Sequence, residues 1–433
     1  MLALSPATFY TEYQRFVIAS SSQFLKVAVP TPLRRVFDYL AVVGTQAPVA
    51  GTRIRVPFGQ RQVIGILLEI TDGSTLPVKQ LKPALEYLDS EPLFSAELFQ
   101  ALMWASDYYQ HPVGDTFATA LPKLIRTGSP IKQPGEIRYR ALPPEQGLEY
   151  QLARAPRQRE LIETLMRRGP LSMVEILQAG FDRALLRQLE EKGLTETSLA
   201  DRSEEKPCLD AMVSASPVRP NPEQVRALTA IEPELGFQCS LLDGVTGSGK
   251  TEVYMQVMTK VLEAGKQCLL LVPEIGLTPQ NLRRFEQRFN CPVVAMHSAM
   301  TDRERLLAWR ATRSGCAPIV IGTRSAVFLP LANPGIIIID EEHDASFKQQ
   351  EGLRYSARDF AIKRAQLENI PVVLGSATPS LESLNNALSG KFQHLKLSQR
   401  AGLASAPKMS LIDMTSDPVS EGVSTALSVK IKK

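Results

Sequence analysis

The sequence predicts a multidomain α/β protein in which a small β-rich unit and a short helical unit precede one larger lobe built on a parallel sheet. Three observations carry this prediction. Apolar alternation punctuated by Pro and Gly runs from about Gln23 to Ile70, short amphipathic helices fit between Pro-rich segments, and strand-like runs alternate with helix-like ones from about residue 205 onward. A length of 433 residues suits roughly three domains.

Composition sets the outer limits. Hydrophobic residues make up 44% and charged residues 22%, the balance of a chain with cores to bury rather than a disordered or fibrous one. The densest apolar run, Ile336 to Ile339, is strand-length, well short of the ~18 residues a membrane span needs. Glu12 and Arg15 lie among Tyr and Ser, so the N-terminus lacks the basic start and apolar block of a signal peptide. A cytoplasmic location with no membrane partner is expected. Forty-nine basic residues against forty-five acidic give +4, which permits a nucleic-acid partner without requiring one. The five cysteines (Cys208, Cys239, Cys268, Cys291, Cys316) include no C-x-x-C pair, so they read as reduced, packed side chains rather than a zinc module.

In chain order, residues 1–21 show no clear period and are expected to form an untethered extension. Over 22–116, strands are predicted at Phe24–Val29, Thr52–Val56 and Val63–Leu68, broken by Pro30, Pro32, Gly51, Pro57 and Gly59. A helix begun by Ser95, with Leu98, Leu102 and Ala105 on one face, follows. Over 117–204, between Pro143-Pro144 and Pro217 to Pro222, three short helices are predicted at 157–168, 172–179 and 182–192. Leu185, Leu186 and Leu189 face one way, and Arg183, Arg187 and Lys192 another. A winged-helix DNA binder and a purely structural helical unit fit this pattern equally well.

From 205 to 433 the strands are expected at Ser240–Leu242, Cys268–Val272, Val293–Met296, Ile319–Ile321, Ile336–Ile339 and Val372–Leu374. Helix starts lie between them, at Thr278-Pro279 and at the capping box Thr301 with Glu304. Continuous apolar strands in alternating βα units mean a sheet covered by helices on both faces. No internal repeat is present.

Gly244-Val245-Thr246-Gly247-Ser248-Gly249-Lys250-Thr251 matches G-x-x-x-x-G-K-[ST], between a strand ending at Leu242 and a helix with Val253, Val257, Val261 and Leu262 inward. Glycines let backbone N–H groups curl around phosphate oxygens, Lys250 neutralises the β/γ-phosphates, and the Thr251 hydroxyl suits Mg²⁺. Downstream, Ile336–Ile339 runs into Asp340-Glu341-Glu342-His343. Asp340 is placed to share the magnesium, and Glu341 to orient or deprotonate the attacking water. ATP binding follows, with hydrolysis expected.

The Asp340 to His343 tetrad resembles superfamily 2 helicases. Pro273–Thr278 looks like their motif Ia, Gly322-Thr323-Arg324-Ser325 like motif Ib, and Gly375-Ser376-Ala377-Thr378 like motif III, while Gln224 sits where such helicases place an adenine-reading glutamine. The wording around Gly244–Tyr254, Val272–Gln280, Asp340–Asp344 and Ser346–Tyr355 is similar to bacterial replication-restart helicases, the PriA family. That likeness makes the lobe RecA-like, with Lys250, Asp340, Glu341 and His343 catalytic and Ser376 and Thr378 coupling hydrolysis to DNA. It also makes Ser346–Tyr355 an aromatic-rich DNA-coupling loop. Phe347 and Tyr355 would offer stacking faces there, and Lys348, Arg354 and Arg358 phosphate contacts, with Arg324 of motif Ib also on DNA.

Val36–Leu40, Arg55–Gly59 and Trp104–Tyr109 resemble the family's N-terminal DNA-binding domain, which captures a nascent-strand 3′ end. By position, Phe37, Asp38, Tyr39, Gly59 and Lys82 would form its pocket: Asp38 accepts from the terminal hydroxyl, the aromatics stack on the base, Gly59 allows close approach, and Lys82 meets phosphate. The resemblance implies an ATP-dependent 3′-to-5′ DNA helicase of the primosome acting on forked DNA in the nucleoid, with single-stranded DNA-binding protein and other primosome proteins as partners. Motifs IV to VI, the arginine finger and the family's zinc-binding cysteines have no candidates before Lys433, so no zinc site is assigned. A fork-binding, ATP-binding fragment without motor activity is the alternative expectation.

Overall fold

The computed structural model describes residues 24–42, 44–45, 48–132, 136–142, 155–200 and 219–401, with a few tail residues beyond. The extension over 1–21, Cys208, the linkers around Pro143-Pro144 and Pro217, and the boundary expected at 204/205 lie outside the described residues.

The N-terminal unit is a five-stranded antiparallel sheet of β1 (Phe24–Ala28), β2 (Phe37–Leu40), β3 (Arg53–Phe58), β4 (Arg61–Thr71) and β5 (Glu86–Tyr87), in the order β2-β1-β4-β3-β5. Phe58 pairs with Arg61, leaving a two-residue turn in which Gly59 takes φ +60°. Hairpins this tight need positive φ, and glycine supplies it without steric cost. One sheet face buries Leu25, Val27, Ile54, Val56 and Leu67. The other, through Ala28 and Ile66, meets α1 (Ala96–Tyr108), which Ser95 caps by accepting from Leu98 N at 3.2 Å.

The boundary expected at 116/117 is corrected. Helix α2 (Val113–Thr119) crosses it, and α3 (Lys123–Arg126) follows with Phe117, Leu121, Ile125 and Ile131 buried in the same core. Buried Arg53 accounts for the tie. Its guanidinium pairs with Asp89 at 2.7 Å and donates to the Ile125 and Ser129 carbonyls at 2.6 and 2.8 Å. No local pattern announces a contact spanning that much chain.

The next unit holds β6 (Glu136–Ala141), α4 (Pro156–Arg168), β7 (Leu171–Ser172), α5 (Met173–Gln178), α6 (Arg183–Glu191) and β8 (Thr195–Ala200). Its antiparallel sheet runs β7-β6-β8, and Leu161, Leu165, Ile176, Leu186 and Leu189 form its core. The unit thus pairs the three helices with a three-stranded antiparallel sheet. Leu185, expected inward, is only half-buried at the edge of that core.

The large lobe starts at α7 (Pro222–Ala230). It continues through β9 (Cys239–Gly244), α8 (Lys250–Glu263), β10 (Gln267–Leu271), α9 (Pro279–Arg288), β11 (Val293–Met296), α10 (Asp302–Ser314), β12 (Ile319–Gly322), β13 (Pro334–Asp340), α11 (Ala357–Glu368), β14 (Val372–Ser376), α12 (Leu381–Leu388) and β15 (Gln393–Leu397). All seven strands are parallel, in the order β11-β12-β10-β13-β14-β9-β15. Ile337 and Ile339 enter one core and Ile336 and Ile338 the other, which is why the run shows no alternation. Edge strand β15 has no apolar run to announce it, because Gln-His-Leu-Lys-Leu is half polar. The lobe also packs directly on the N-terminal unit: α1 lies against α11, Trp104 meets Phe360 with ring centres 6.5 Å apart, and Ser356 N donates to the Tyr109 hydroxyl at 3.2 Å.

Candidate functional site

The nucleotide loop leaves β9, between β14 and the edge strand β15, and ends where α8 begins. Gly247 and Gly249 adopt φ +80° and +84°, which turns the backbone into a cradle. A Cβ on Gly249 would sit 2.4 Å from Gln224 Nε2, and one on Gly244 2.6 Å from Ser248 Oγ, while the space over Gly247 is open. The Ser248 hydroxyl is buried without a hydrogen-bond partner, a donor waiting for an acceptor. Lys250 is buried, donates to Gly244 O at 2.9 Å and lies 3.9 Å from Glu341. An orphaned donor, an open cradle and a buried cation fit a phosphate chain with its magnesium.

Across from the loop, β13 delivers the acidic residues. Thr251, Asp340 and Glu341 line one cavity of about 380 Å³ together with Pro273, Gly276 and Leu277. Asp340 Oδ1 accepts from the Tyr254 hydroxyl at 3.0 Å and from Glu341 N at 3.1 Å. Burial, and then the neighbouring Glu341 carboxylate, raise the Asp340 pKa, while Tyr254 and Lys250 oppose the rise. Glu341 holds φ +49°, an unusual backbone conformation for a non-glycine residue and one that collects at functional sites. His343 Nδ1 lies 2.7 Å from Ser376 Oγ and Nε2 3.3 Å from Thr378 Oγ1, so β13 and the end of β14 meet through one imidazole.

No local sequence signal marks Tyr254 as a site residue. It lies one turn beyond Thr251, so its hydroxyl emerges on the same side of α8, and Gly375 leaves the notch that admits it: a Cβ there would fall 1.6 Å from the hydroxyl. The paired signals, an aromatic at that spacing and a glycine in the facing strand, only become readable once β14 and α8 are in register.

Several expected roles are corrected. Gln224 is buried with its amide turned onto the chain: Oε1 accepts from Asn221 N, and Nε2 donates to Ser248 O at 2.9 Å, making it a buried cap of α7 and a brace for the loop. Phe347 and Tyr355, expected to stack on bases, are 2% and 3% exposed, and Tyr355 packs on Phe328 with ring centres 4.7 Å apart. Arg358, expected on phosphate, pairs with Glu342 at 3.0 Å and Asp359 at 3.1 Å. Arg324 donates to the Ser346 and Lys348 carbonyls at 2.8 and 2.9 Å, shaping the loop. Lys348 and Arg354 do face solvent.

At the N-terminal unit, Phe37, Asp38, Tyr39, Gly59 and Lys82 line a single cavity of about 480 Å³, with Lys26, Arg35 and Phe58 alongside. Asp38 pairs with Lys26 at 3.0 Å and accepts from the Ser74 hydroxyl. Two details depart from the expected roles. Tyr39 is buried with its hydroxyl donating to Pro57 O at 3.1 Å, so it is a wall rather than a stacking face. Gly59 answers the turn, since a Cβ there would meet nothing.

Comparison with known proteins agrees with this geometry. Residues 26–122 match the family described as the PriA 3′ DNA-binding domain (3′BD), and residues 221–387 match the DEAD/DEAH box helicase family. The replication restart protein PriA of Haemophilus influenzae is 40% identical over 420 residues, covering 95% of this chain and 56% of that protein. Its counterparts in Chlamydia pneumoniae and Bacillus subtilis are 35% and 32% identical, covering 90% and 88% of this chain and 53% and 56% of theirs. The chain spans about half the length of these curated relatives. A phosphate cradle facing a D-E-x-H strand end, behind a 3′ DNA-binding domain, defines a DNA-binding DEAD/DEAH-type helicase lobe, a class that uses ATP and Mg²⁺. Within that class the chain is similar to the PriA replication restart proteins. No helix among the described residues is long and apolar enough to cross a membrane, and no three of their His, Cys, Asp or Glu side chains cluster as a zinc site would require.

Proposed function

We propose that this chain serves an ATP-dependent 3′-to-5′ DNA helicase of replication restart, supplying both its fork recognition and the first wall of its ATPase site. One observation carries the reading: Lys250, Thr251, Asp340 and Glu341 converge below a glycine cradle that already holds an unpartnered buried hydroxyl. Lys250 and the cradle N–H groups bind the β/γ-phosphates. Thr251 and Asp340 hold magnesium, whose chemistry is to neutralise charge developing on the phosphates. Glu341 orients the attacking water. His343, between Ser376 and Thr378, links that event to the strand end that follows.

The pocket around Asp38 receives a nascent-strand 3′ end, with Phe37 beside the terminal base and Lys82 near its phosphate. Lys348 and Arg354 meet the backbone of single-stranded DNA. Single-stranded DNA-binding protein and other primosome proteins are the expected partners, at forks in the cytoplasmic nucleoid. Calorimetry with Mg²⁺ and an ATP analogue tests the reading. The 433-residue chain should bind with one site, and Lys250→Ala should lose about 10- to 100-fold in affinity, the worth of a hydrogen bond to a charged group. Equal affinity in the two proteins would sink it.

A further inference from the structure

We infer that Glu342 is a positioning residue: the node through which the nucleotide site and the 344–356 loop are held in one mechanical unit. This rests on the nucleotide-site reading and extends it to regulation. Glu342 stands between Glu341 and His343, yet its side chain takes no part in their contacts and is 0% exposed. A carboxylate so placed is costly unless every oxygen is paired. Here all are. Oε1 accepts from Ser380 N at 2.7 Å, and Oε2 accepts from Ser383 Oγ at 2.9 Å, Arg358 Nη1 at 3.0 Å and Ser380 Oγ at 3.1 Å. Arg358 Nη1 donates in addition to Ser380 Oγ at 2.7 Å, closing the network.

The partners belong to three elements with separate duties. Glu342 ends β13. Ser380 caps α12, two residues beyond the Thr378 that His343 contacts. Arg358 lies in the first turn of α11, at the far end of the loop whose near end Arg324 holds through Ser346 and Lys348. A dry, fully paired carboxylate tolerates no partial rearrangement, because moving any one element strands a charge. The strand end, the α12 cap and the loop therefore shift together. Glu341, held at φ +49° on the residue before, is the point where that shift reaches the hydrolytic site.

Amide hydrogen exchange on the full chain, with and without Mg²⁺ and a non-hydrolysable ATP analogue, tests this, with affinity measured on the same samples. In the wild type the bound analogue should slow exchange across 344–356 by about fivefold or more, the range of ordinary site-to-site coupling. Glu342→Gln should keep the analogue affinity within about threefold while losing that protection. A merely structural role would raise exchange in the free protein but leave the ratio between bound and free unchanged, and that result overturns the proposal. So does a wild type that binds the analogue without protecting the loop. A wild type that binds no analogue removes the nucleotide-site reading, and the node with it. Should Glu342→Gln fail to fold, Arg358→Lys, which keeps the charge but has no second nitrogen to hold Asp359 while another bonds Glu342 and Ser380, must give the same loss.

Discussion

The Tyr254 hydroxyl donates to Asp340 Oδ1 at 3.0 Å, so the helix that follows the phosphate loop directly orients the carboxylate assigned to magnesium. Tyr254→Phe keeps the ring in its notch and deletes the bond. The magnesium concentration needed for half-maximal analogue binding should rise about fivefold, matching a hydrogen bond of about 1 kcal/mol. Gly375→Ala should cost about 3 kcal/mol of stability by overpacking against that hydroxyl. Part of the cost should return in the Tyr254→Phe background, a coupling that denaturant melts of the four proteins read directly.

Gln224 braces the phosphate loop through Ser248 O. Gln224→Ala should therefore weaken ATP and GTP analogues alike, by about tenfold, since the bond removed is buried. A loss confined to adenine nucleotides would restore a base-reading role.

Asp38 is the acceptor in the N-terminal cavity. An oligonucleotide with a free 3′ hydroxyl should bind several-fold more tightly than its blocked counterpart, and Asp38→Asn should erase the difference. Affinity should fall steeply with salt in both, as phosphate contacts require. Titrations by fluorescence anisotropy distinguish these outcomes.

Buried Phe347 and exposed Lys348 are adjacent but should behave oppositely. Phe347→Ala should cost about 3–5 kcal/mol of stability by leaving a cavity. Lys348→Ala should leave the melting curve in place and reduce the slope of log affinity against log salt by about one.

Tyr109 joins the N-terminal unit to the lobe through Ser356 N, and burial raises its pKa from 10.0 to about 12. A raised folded pKa favours the protonated fold. The contribution is whole below pH 10 and is lost as pH climbs toward about 12. Over that window, wild-type stability should fall more steeply than that of Tyr109→Phe. Parallel slopes would show that the seam does not sense this hydroxyl.

Much of the site was legible because its chemistry is local. The Gly244–Thr251 spacing dictates a cradle, and Ile336–Ile339 running into Asp340 dictates a buried strand with its charges at the rim. Phe347 and Tyr355 were not legible: in a polar loop an aromatic can face water or core, and only the closing of that loop over Phe328 and Phe360 decides. Arg358 likewise reads as a free cation until Glu342 is found beneath it.

From its own order of residues, the polypeptide determined three units, the parallel sheet and the identity of the phosphate-binding and acidic segments, because periodicity and backbone propensity act over a few neighbours at a time. Tertiary structure alone decided which side chains are spent on holding the protein together. Arg53 binds a segment beyond the expected boundary, Gln224 a loop, Tyr254 a carboxylate and Glu342 three elements at once. Each of those contacts joins residues brought together only by folding, so no local window of sequence contains them.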